Sequence, residues 1–298
     1  MRVVVTGSES FIGRELRRHG QAKQIEWVGL DTAPADDPGH IQIDIRSPEL
    51  ADVIPEGLDA VVHLAAISRD QDCRANPQQA FDVNVSGTLN VIRAARERNA
   101  RQFIFASSEW VYGDVSSDAV QTEDQPIAVT GIRSEYALSK LVGEQVLRMA
   151  FAQGLCPVTV LRFGIVYGPR PSNWSAVETL FHAVRTQQTV TVGSLETARR
   201  FIHVSDIAEG IVSAIGQDGF QIFNLSGDRL ITLREVIEQS ALLLDRRPTV
   251  VERAPEGVSI RNPDNRKAKH LLGWEPATDL PHGLRSLDET LQTTGAHE

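Results

Sequence analysis

The sequence predicts an α/β protein built on a doubly wound parallel sheet, with a smaller lobe toward its C-terminal end. Two observations predict this class. Short runs of β-branched and apolar residues alternate with longer segments of helical period. Several of these runs are apolar on both faces, as strands are when helices cover both sides of a parallel sheet. The chain has 298 residues, 41% of them hydrophobic, which is enough for a large core.

The elements follow one another in a regular order. The predicted strands are, in chain order, RVVVTG, IEWVGLD, HIQIDI, DAVVHLAA, RQFIFASS and PVTVLRFG. The predicted helices between them include SFIGRELRRHG, NPQQAFDVNVSGTLNVIRAARERNA and EYALSKLVGEQVLRMAFAQG. We therefore expect a sheet in which most connections between neighbouring strands contain a helix.

The regular alternation ends near Gly168, where the proline- and glycine-rich stretch GPRPSN interrupts it. We expect the main domain to cover residues 1–168, with residues 200–226 returning to it. The smaller, substrate-binding lobe is then expected over residues 169–199 and 227–298.

The composition excludes several classes of function. Acidic residues outnumber basic ones, 39 to 30, which argues against nucleic-acid binding and against a basic membrane-binding surface. Cys73 and Cys156 lie in no metal-ligand spacing, so we expect two free thiols, a reducing compartment and no metal site. With no leader pattern and no apolar run long enough to span a bilayer, the expected location is the cytoplasm, without membrane attachment.

The first strand runs into the stretch TGSESFIG, which opens a helix. Gly7 permits the tight turn after the strand, and Gly13 lets the helix pack closely on the sheet. The exposed N–H groups at such a helix start receive phosphates, so the stretch predicts a Rossmann-type dinucleotide site. Ser10 stands where the middle glycine of the motif belongs, and Glu9 adds an anion nearby. We expect weakened or slightly shifted binding, not its loss.

Asp31 ends the second strand, about 20 residues after the glycine loop, where a carboxylate accepts hydrogen bonds from the adenosine ribose. No arginine follows it directly, so a ribose phosphate would be repelled and the cofactor is expected to be NAD, not NADP. Asp44 and Ile45 follow the third strand and either flank the adenine or form an ordinary turn. Because parallel strands end at one edge, the later strand ends belong to the same cleft.

Tyr136 and Lys140 lie four residues apart in EYALSK, so both side chains leave one face of a helix. A lysine cation beside a phenol, with both near a nicotinamide, is expected to lower the pKa of the tyrosine and make it a base for a substrate hydroxyl. Ser108 ends the preceding strand and could hydrogen-bond and orient the same hydroxyl.

At these residues the chain resembles the extended short-chain dehydrogenase/reductases of the nucleotide-sugar epimerase/dehydratase group. The resemblance covers nearly the whole chain, through TGSESFIG, HLAA, NVSGTLNV, SSEWVYG, YALSK, LRFGIVYGPR, RRFIHVSDIA, FNLSG and KHLLGWEP. It implies a Rossmann domain with a small C-terminal substrate lobe, NAD as cofactor, a nucleotide-sugar substrate and oxidation of a sugar hydroxyl. It also implies a homodimer formed through the helices TLNVIRAARERNA and EYALSKLVGEQVL.

The resemblance carries roles to particular positions. Ser108, Tyr136 and Lys140 match the family's catalytic residues, and Asn84 matches a residue that supports the active-site helix near the cofactor. The expected cofactor contacts are Gly7, Ser10, Phe11, Ile12, Gly13, Asp31, Asp44, Ile45, Leu64, Ala65, Ala66, Asn84, Tyr136 and Lys140.

The substrate side matches the family less closely. Arg199, before FIHV, matches an arginine that binds the nucleotide diphosphate, and Arg253 is a looser match to a second; for either, a surface salt bridge is the alternative. Ile165 stands where many members have an asparagine that contacts the substrate phosphate. Trp110 replaces the acidic residue that dehydratases and decarboxylases use as a base, and Glu109 lies one position early for that role. The expected substrate contacts are Ser108, Glu109, Trp110, Arg199 and Arg253.

Three functions are compatible with these residues. The first is a nucleotide-sugar epimerase that inverts C4 through a transient keto sugar. The second is a sugar dehydrogenase or keto-sugar reductase of the same family. The third is a non-catalytic dinucleotide-binding module, against which the joint presence of Ser108, Tyr136 and Lys140 argues. A dehydratase is disfavoured because the acid–base pair beside Ser108 is incomplete.

Overall fold

The computed structural model describes residues 1–113, 118–170 and 175–295. The strands are β1 (Arg2–Thr6), β2 (Glu26–Asp31), β3 (His40–Gln42), β4 (Ala60–His63), β5 (Phe103–Ser108), β6 (Val158–Phe163), β7 (Val166–Tyr167), β8 (Thr189–Val192), β9 (Ala198–Arg199), β10 (Ile202–His203), β11 (Phe220–Leu225), β12 (Ile231–Thr232) and β13 (Thr249–Glu252). The helices are α1 (Phe11–Ala22), α2 (Leu50–Val53), α3 (Asp70–Ala75), α4 (Pro77–Phe81), α5 (Thr88–Glu97), α6 (Glu135–Ala152), α7 (Ala176–Thr186), α8 (Val204–Ser213), α9 (Leu233–Leu243), α10 (Arg266–Leu272) and α11 (Leu280–Gly295).

Within the described ranges, seven strands form one parallel sheet in the order β11-β6-β5-β4-β1-β2-β3. The predicted α/β class with a Rossmann-type sheet is confirmed. The strand order reverses direction at β1, which lies between β2 and β4. In an open α/β sheet, ligands bind beyond the carboxyl ends of the strands at such a switch point. The topology therefore places a cleft between the loops that follow β1, β2 and β4.

Helices cover both faces of the sheet because successive strand residues point to opposite sides. Val3 and Val5 of β1 belong to a buried cluster that includes Leu16 of α1 and Ile207 of α8. Val4 belongs to the cluster on the other face, which holds residues of α2, α5 and α6. Both faces of each strand in the middle of the sheet are therefore buried, as its unbroken apolar run predicts.

The single helix predicted over residues 76–100 is wrong in one respect. After α4 the chain makes a π-helical stretch, Asp82–Gly87, before α5 begins. Asn84 lies inside this stretch, where its side chain bonds the backbone of Ile67 at both its oxygen and its nitrogen. A π-helical turn inserts an extra residue into the helix and commonly marks a functional site. This local widening is a tertiary effect that helical periodicity does not predict.

The chain returns to the main sheet through β11, which pairs with β6 along its whole length. A third buried cluster, built from α7, α9 and α11 and including Tyr167, Phe181 and Leu284, forms the core of the smaller lobe. The exact lobe boundaries stay a prediction, and residues 171–173 of GPRPSN lie outside the described ranges. Across the described ranges, no helix has the length and apolarity needed to cross a bilayer.

Beneath the carboxyl edge, α6 is joined to the sheet by a buried ion pair. Arg162 of β6 donates from Nε to Glu144 Oε1 at 3.0 Å and from Nη2 to Glu144 Oε2 at 2.7 Å. The side chains of Arg162 and Glu144 are only 3% and 2% exposed. Ser107 of β5 donates to Glu144 Oε1 at 2.6 Å, and Tyr112 Oη accepts from Arg162 at 3.0 Å. The Glu144 carboxylate thus connects three elements, α6, β5 and β6, and Arg162 extends the network to Tyr112.

We expect Glu144→Gln to lower the free energy of unfolding by about 3–5 kcal/mol, because it leaves the buried Arg162 guanidinium without its counter-charge. Chemical denaturation measures the loss. Glu97→Gln is the matched control, since Glu97 pairs with Arg93 on the exposed face of α5 and an exposed pair is worth about 0–1 kcal/mol. Equal effects of the two substitutions would contradict the anchoring role of Glu144.

Candidate active site

The glycine loop follows β1 at the switch point of the sheet. Gly7 has a left-handed φ of +73°, and a Cβ built there would lie 2.7 Å from the backbone nitrogen of Ala65. A Cβ on Gly13 would lie 2.4 Å from the carbonyl oxygen of Gly7. Both positions therefore require glycine, because the loop, the start of α1 and the strand end at Ala65 are in close contact. This is the tight backbone cradle that a dinucleotide needs.

Ser10 is the N-cap of α1. Its Oγ accepts a hydrogen bond from the backbone N–H of Gly13 at 3.1 Å. The serine that replaces the middle glycine of the motif thus satisfies one of the free N–H groups of the first turn. Its hydroxyl hydrogen can still donate to a phosphate oxygen. Phe11 begins the helix, with its ring 4.3 Å from the Arg170 guanidinium, and Ile12 packs against the core.

Asp31 lies directly beside this loop. Its Oδ2 accepts the backbone N–H of Glu9 at 2.9 Å, and its Oδ1 accepts that of Ala33 at 3.0 Å. Each carboxylate oxygen keeps a further lone pair that can accept a ribose hydroxyl. The geometry of Asp31 therefore fits the ribose-binding role that its position in the sequence predicts.

Asp44 and Ile45, two expected cofactor contacts, follow β3 and differ in their surroundings. Asp44 pairs with Arg46, whose Nη2 lies 2.6 Å from Asp44 Oδ2, and this pairing lowers the pKa of the Asp44 carboxyl. Ile45 is buried, and its carbonyl accepts from Asn90 at 2.7 Å. The structure therefore gives Asp44 a turn with its own ion pair, one of the two expected readings, while its contact with adenine stays a prediction.

The segment after β4 forms the opposite wall of the cradle. The backbone N–H of Leu64 donates to the Thr6 carbonyl at 3.0 Å, and that of Ala65 donates to Thr6 Oγ1 at 3.3 Å. Thr6 Oγ1 also lies 2.6 Å from His63 Nδ1. Leu64, Ala65 and Ala66 are partly buried and so keep some exposed surface along this edge.

Ser108, Tyr136 and Lys140 come together where β5 ends and α6 begins. Ser108 is 7% exposed and Lys140 is 3% exposed. The Ser108 hydroxyl accepts the backbone N–H of Trp110 at 3.3 Å and also acts to lower the pKa of Tyr136. The Lys140 ammonium lies 5.8 Å from the centroid of the Tyr136 ring. Because strand residues alternate in direction, Ser107 points instead to Glu144. The structure thus selects Ser108 as the hydroxyl that faces the tyrosine.

The lowering of the Tyr136 pKa that is expected beside a lysine cation and a nicotinamide stays a prediction; in the protein alone the shift has the opposite direction. Burial raises the pKa of Tyr136 to about 12, and the opposing hydrogen bond from Ser108 is the smaller effect. Burial also lowers the pKa of Lys140 to about 8. Desolvation disfavours the charged form of both groups, and sequence spacing carries no information about its size. Tyr136 therefore holds its proton at neutral pH.

Asn84 connects the π-helical stretch to the active-site helix. Its Nδ2 donates to Ser139 Oγ at 3.0 Å and to the carbonyl of Ile67 at 2.9 Å. Ser139 lies between Tyr136 and Lys140 in α6, and its hydroxyl donates to the Tyr136 carbonyl at 2.8 Å. The contacts of Asn84 thus agree with the supporting position that the resemblance implies.

Glu109, the residue after Ser108, carries a buried carboxyl group. It is fully buried, and neither of its carboxylate oxygens has a hydrogen-bond partner among the described residues. Arg199 Nε lies 3.9 Å from Glu109 Oε1. Burial raises the pKa of Glu109 to about 7, although Arg261 and Arg199 act in the opposite direction. A carboxyl group poised near neutral pH lies next to Ser108.

Two arginines of the C-terminal part approach this acid. Arg199 is held in place by its donors to the carbonyl of Ser259 at 2.6 Å and to Ser259 Oγ at 3.0 Å. The Arg261 guanidinium carbon lies 4.4 Å from the centroid of the Trp110 ring, as in a cation–π contact. The buried Nε of Arg261 has no partner among the described residues. Trp110 therefore packs against an arginine at the wall of the cleft.

Arg253 lies apart from this cluster. It is exposed directly after β13, and its backbone N–H donates to the Val192 carbonyl. The contact of Arg253 with the substrate stays a prediction. Sequence reasoning did not name Arg261, because no local pattern distinguishes it from the other arginines of the chain. Ile165, at the position of the family's asparagine, packs against the core of the smaller lobe.

The fold and this set of hydroxyl, ammonium and guanidinium groups define a dinucleotide-dependent enzyme acting on an alcohol. The family model described as the NAD dependent epimerase/dehydratase family matches residues 3–226, and the chain belongs to that family. It is an enzyme of the extended short-chain dehydrogenase/reductase type, as the sequence predicts, and the expected cofactor, NAD, is confirmed.

Relatives and solved structures agree with this assignment over the whole chain. The chain is 29% identical over 304 residues to UDP-glucuronic acid decarboxylase 6 of Arabidopsis thaliana, covering 97% of this chain and 88% of that protein. MoeE5 in complex with UDP-glucuronic acid and NAD has a TM-score of 0.87 at 27% identity, covering 99% of this chain and 100% of that one. The UDP-glucose 4-epimerase of Thermus thermophilus in complex with NAD has a TM-score of 0.85 at 26% identity, covering 98% of this chain and 99% of that one.

We expect Ser10→Gly to lower stability by only a few tenths of a kcal/mol and Ser10→Ala to lower it by about 1 kcal/mol, because Ser10 caps α1 and glycine is a tolerated cap. NAD affinity should be unchanged or tighter in Ser10→Gly, since the backbone cradle is preserved. Denaturation and calorimetric titration with NAD measure the two effects. Loss of NAD binding in Ser10→Gly would show instead that the serine hydroxyl itself holds the cofactor.

Proposed function

We propose that this enzyme is an NAD-dependent nucleotide-sugar epimerase that inverts C4 of the sugar through a transient keto sugar. The observation that carries the proposal is the placement of Ser108, Tyr136 and Lys140 together where β5 ends and α6 begins. The hydroxyls of Ser108 and Tyr136 suit the reversible oxidation of one substrate hydroxyl. NAD supplies a reversible hydride acceptor at that edge.

The residues of the chain divide the proton chemistry between them. Ser108 holds the reacting hydroxyl by a hydrogen bond. Tyr136 first loses its own proton to solvent, and the phenolate then takes the proton of that hydroxyl on oxidation and returns it on reduction. Because burial raises the pKa of Tyr136 to about 12, formation of the phenolate depends on positive charge near the ring. The Lys140 ammonium lies 5.8 Å from the centroid of the Tyr136 ring, and its positive charge favours the phenolate.

The nucleotide diphosphate is proposed to meet Arg199 and Arg261. Both are largely buried, and their charges exceed that of the single Glu109 between them, so the cluster favours an anion. A guanidinium binds phosphate oxygens through charge-assisted hydrogen bonds. The solved relative MoeE5 is in complex with UDP-glucuronic acid, which supports a nucleotide-sugar substrate. The UDP titration described below tests the nucleotide part of this proposal.

A second candidate function is supported by Glu109. Elimination of water or loss of carbon dioxide from a keto sugar needs a second acid–base group beside Tyr136, and the buried Glu109 carboxyl, with its pKa raised to about 7, is such a group. The decarboxylase relative points the same way. Mass spectrometry distinguishes the candidates, because an epimer keeps the substrate mass, whereas these two reactions lose the mass of a water or of a carbon dioxide molecule.

A reductase or dehydrogenase of the same family is the remaining alternative. Such an enzyme transfers hydride between its substrate and a cofactor that then dissociates. The absorbance of reduced nicotinamide therefore changes with turnover. An epimerase regenerates its cofactor in each cycle and gives no net change. The two outcomes are exclusive for one substrate.

We also propose that two copies of the chain pair through α5 and α6. Leu89 on α5 and Leu138 and Met149 on α6 are 49%, 36% and 57% exposed. Exposed apolar groups of this kind mark association sites. Sedimentation of the purified protein at several concentrations tests the pairing.

We expect Tyr136→Phe to lower turnover of a nucleotide sugar by about 10²- to 10⁴-fold, because it removes the proton carrier. NAD affinity should stay close to that of the wild type, since the ring is retained. Tyr167→Phe is the matched control: it removes the hydroxyl of another buried tyrosine, in the smaller lobe. Near-full turnover by Tyr136→Phe would rule out its acid–base role.

We expect Arg199→Ala and Arg261→Ala each to weaken the binding of free UDP about ten- to a hundredfold, the value of one charge-assisted contact. Arg101→Ala is the control and should bind UDP like the wild type, because Arg101 is exposed and pairs with Asp59. Competition titration measures the affinities, and melting curves show whether the variants stay folded. Wild-type affinity in both cluster variants would assign Arg199 and Arg261 to structure alone.

A further inference from the structure

No arginine directly follows Asp31 in the sequence, and for this reason the sequence favours NAD over NADP. The structure shows that arginines reach this corner from another element. Arg14 and Arg17 of α1 extend toward the glycine loop, where both approach the carboxylate of Glu9. The backbone N–H of Glu9 in turn donates to Asp31 Oδ2 at 2.9 Å. Two guanidinium groups therefore lie close to the carboxylate expected to hold the adenosine ribose.

Glu9 occupies both of these arginines. Arg14 Nε lies 3.2 Å from Glu9 Oε2, and Arg17 Nη1 lies 3.4 Å from Glu9 Oε1. Arg17 Nη1 also lies 3.0 Å from Asp37 Oδ2. The Glu9 side chain is only 8% exposed, whereas those of Arg14 and Arg17 are 59% and 31% exposed. The acid is fixed in the loop, and the arginines fold onto it from the surface.

The charges at this corner oppose a second phosphate. Glu9, Asp31 and Asp37 contribute three negative charges, and Arg14 and Arg17 contribute two positive ones, which leaves a net charge of −1. The 2′-phosphate that distinguishes NADP from NAD would be repelled by this net charge. It would also find the two guanidinium groups that suit it already bound to carboxylates.

We propose that Glu9 is a second determinant of cofactor choice, which keeps Arg14 and Arg17 away from the 2′-phosphate of NADP. Without the Glu9 carboxylate the net charge of the corner becomes zero, and the arginines can turn to a phosphate. Glu9 acts on cofactor binding alone and is independent of which sugar the enzyme takes.

The experiment compares calorimetric titrations of NAD and NADP into the wild type and Glu9→Gln. We expect the affinity for NADP to rise about tenfold, the size of one charge–charge interaction near a solvent-exposed surface. The affinity for NAD should change little. Glu15→Gln is the matched control, because Glu15 pairs with Arg18 on α1, away from this corner. It should leave both affinities as they are.

A triple variant, Glu9→Gln with Arg14→Ala and Arg17→Ala, separates the release of arginines from the simple loss of a negative charge. We expect it to lose most of the gain in NADP affinity. An unchanged ratio of the two affinities in Glu9→Gln overturns the proposal, as does a full gain that persists without the arginines. Failure of the wild type to bind NAD would instead count against the cofactor site itself. Failure of turnover with normal NAD binding would affect only the proposed epimerase function.

Discussion

The buried ion pair between Glu144 and Arg162 is the interaction on which the geometry of the active site depends. A pair of this kind is stable only when its hydrogen bonds are complete, because both charges have left water. Here Ser107 supplies a further donor to the carboxylate. Ser107 is adjacent to Ser108, and Glu144 lies one helical turn after Lys140. The pair therefore sets the distance between the strand that carries the serine and the helix that carries the lysine.

Exclusion of water from this region explains its unusual protonation states. Burial raises the pKa of Tyr136 to about 12 and that of Glu109 to about 7, and it lowers the pKa of Lys140 to about 8. All three shifts favour the neutral form, as desolvation requires. In such surroundings each charge that a ligand introduces acts strongly on its neighbours. The protein thus supplies groups whose protonation a bound substrate or cofactor can readily change.

Ser10 and Glu9, two neighbouring residues of the glycine loop, have separate physical effects. Ser10 gives up the close approach that glycine allows, but it caps α1 through the Gly13 N–H. Glu9 brings a carboxylate to the ribose corner and binds Arg14 and Arg17 there. One residue stabilises the helix that receives the phosphates, and the other sets the charge beside the adenosine. The loop is therefore altered without losing its backbone shape.

The sequence by itself determined the features that depend on neighbouring residues. The alternation of apolar strands and helices predicted the parallel sheet, because burial on both faces requires apolar side chains on both. Gly7 and Gly13 were predictable because their backbone positions exclude a Cβ, and the spacing of Tyr136 and Lys140 was sufficient to place them on one helix face. These are local consequences of chain geometry.

Only the tertiary structure decided which distant residues meet. Arg261 approaches Trp110 across 151 positions of the chain, the difference between 261 and 110, and no short-range pattern distinguishes it from Arg253. The π-helical turn at Asn84 likewise depends on a contact with Ile67. In the protein alone, burial raises the pKa of Tyr136, and the size of this effect could not be read from the spacing of Tyr136 and Lys140. Packing determines both long-range contacts and desolvation, and a one-dimensional pattern of residues contains neither.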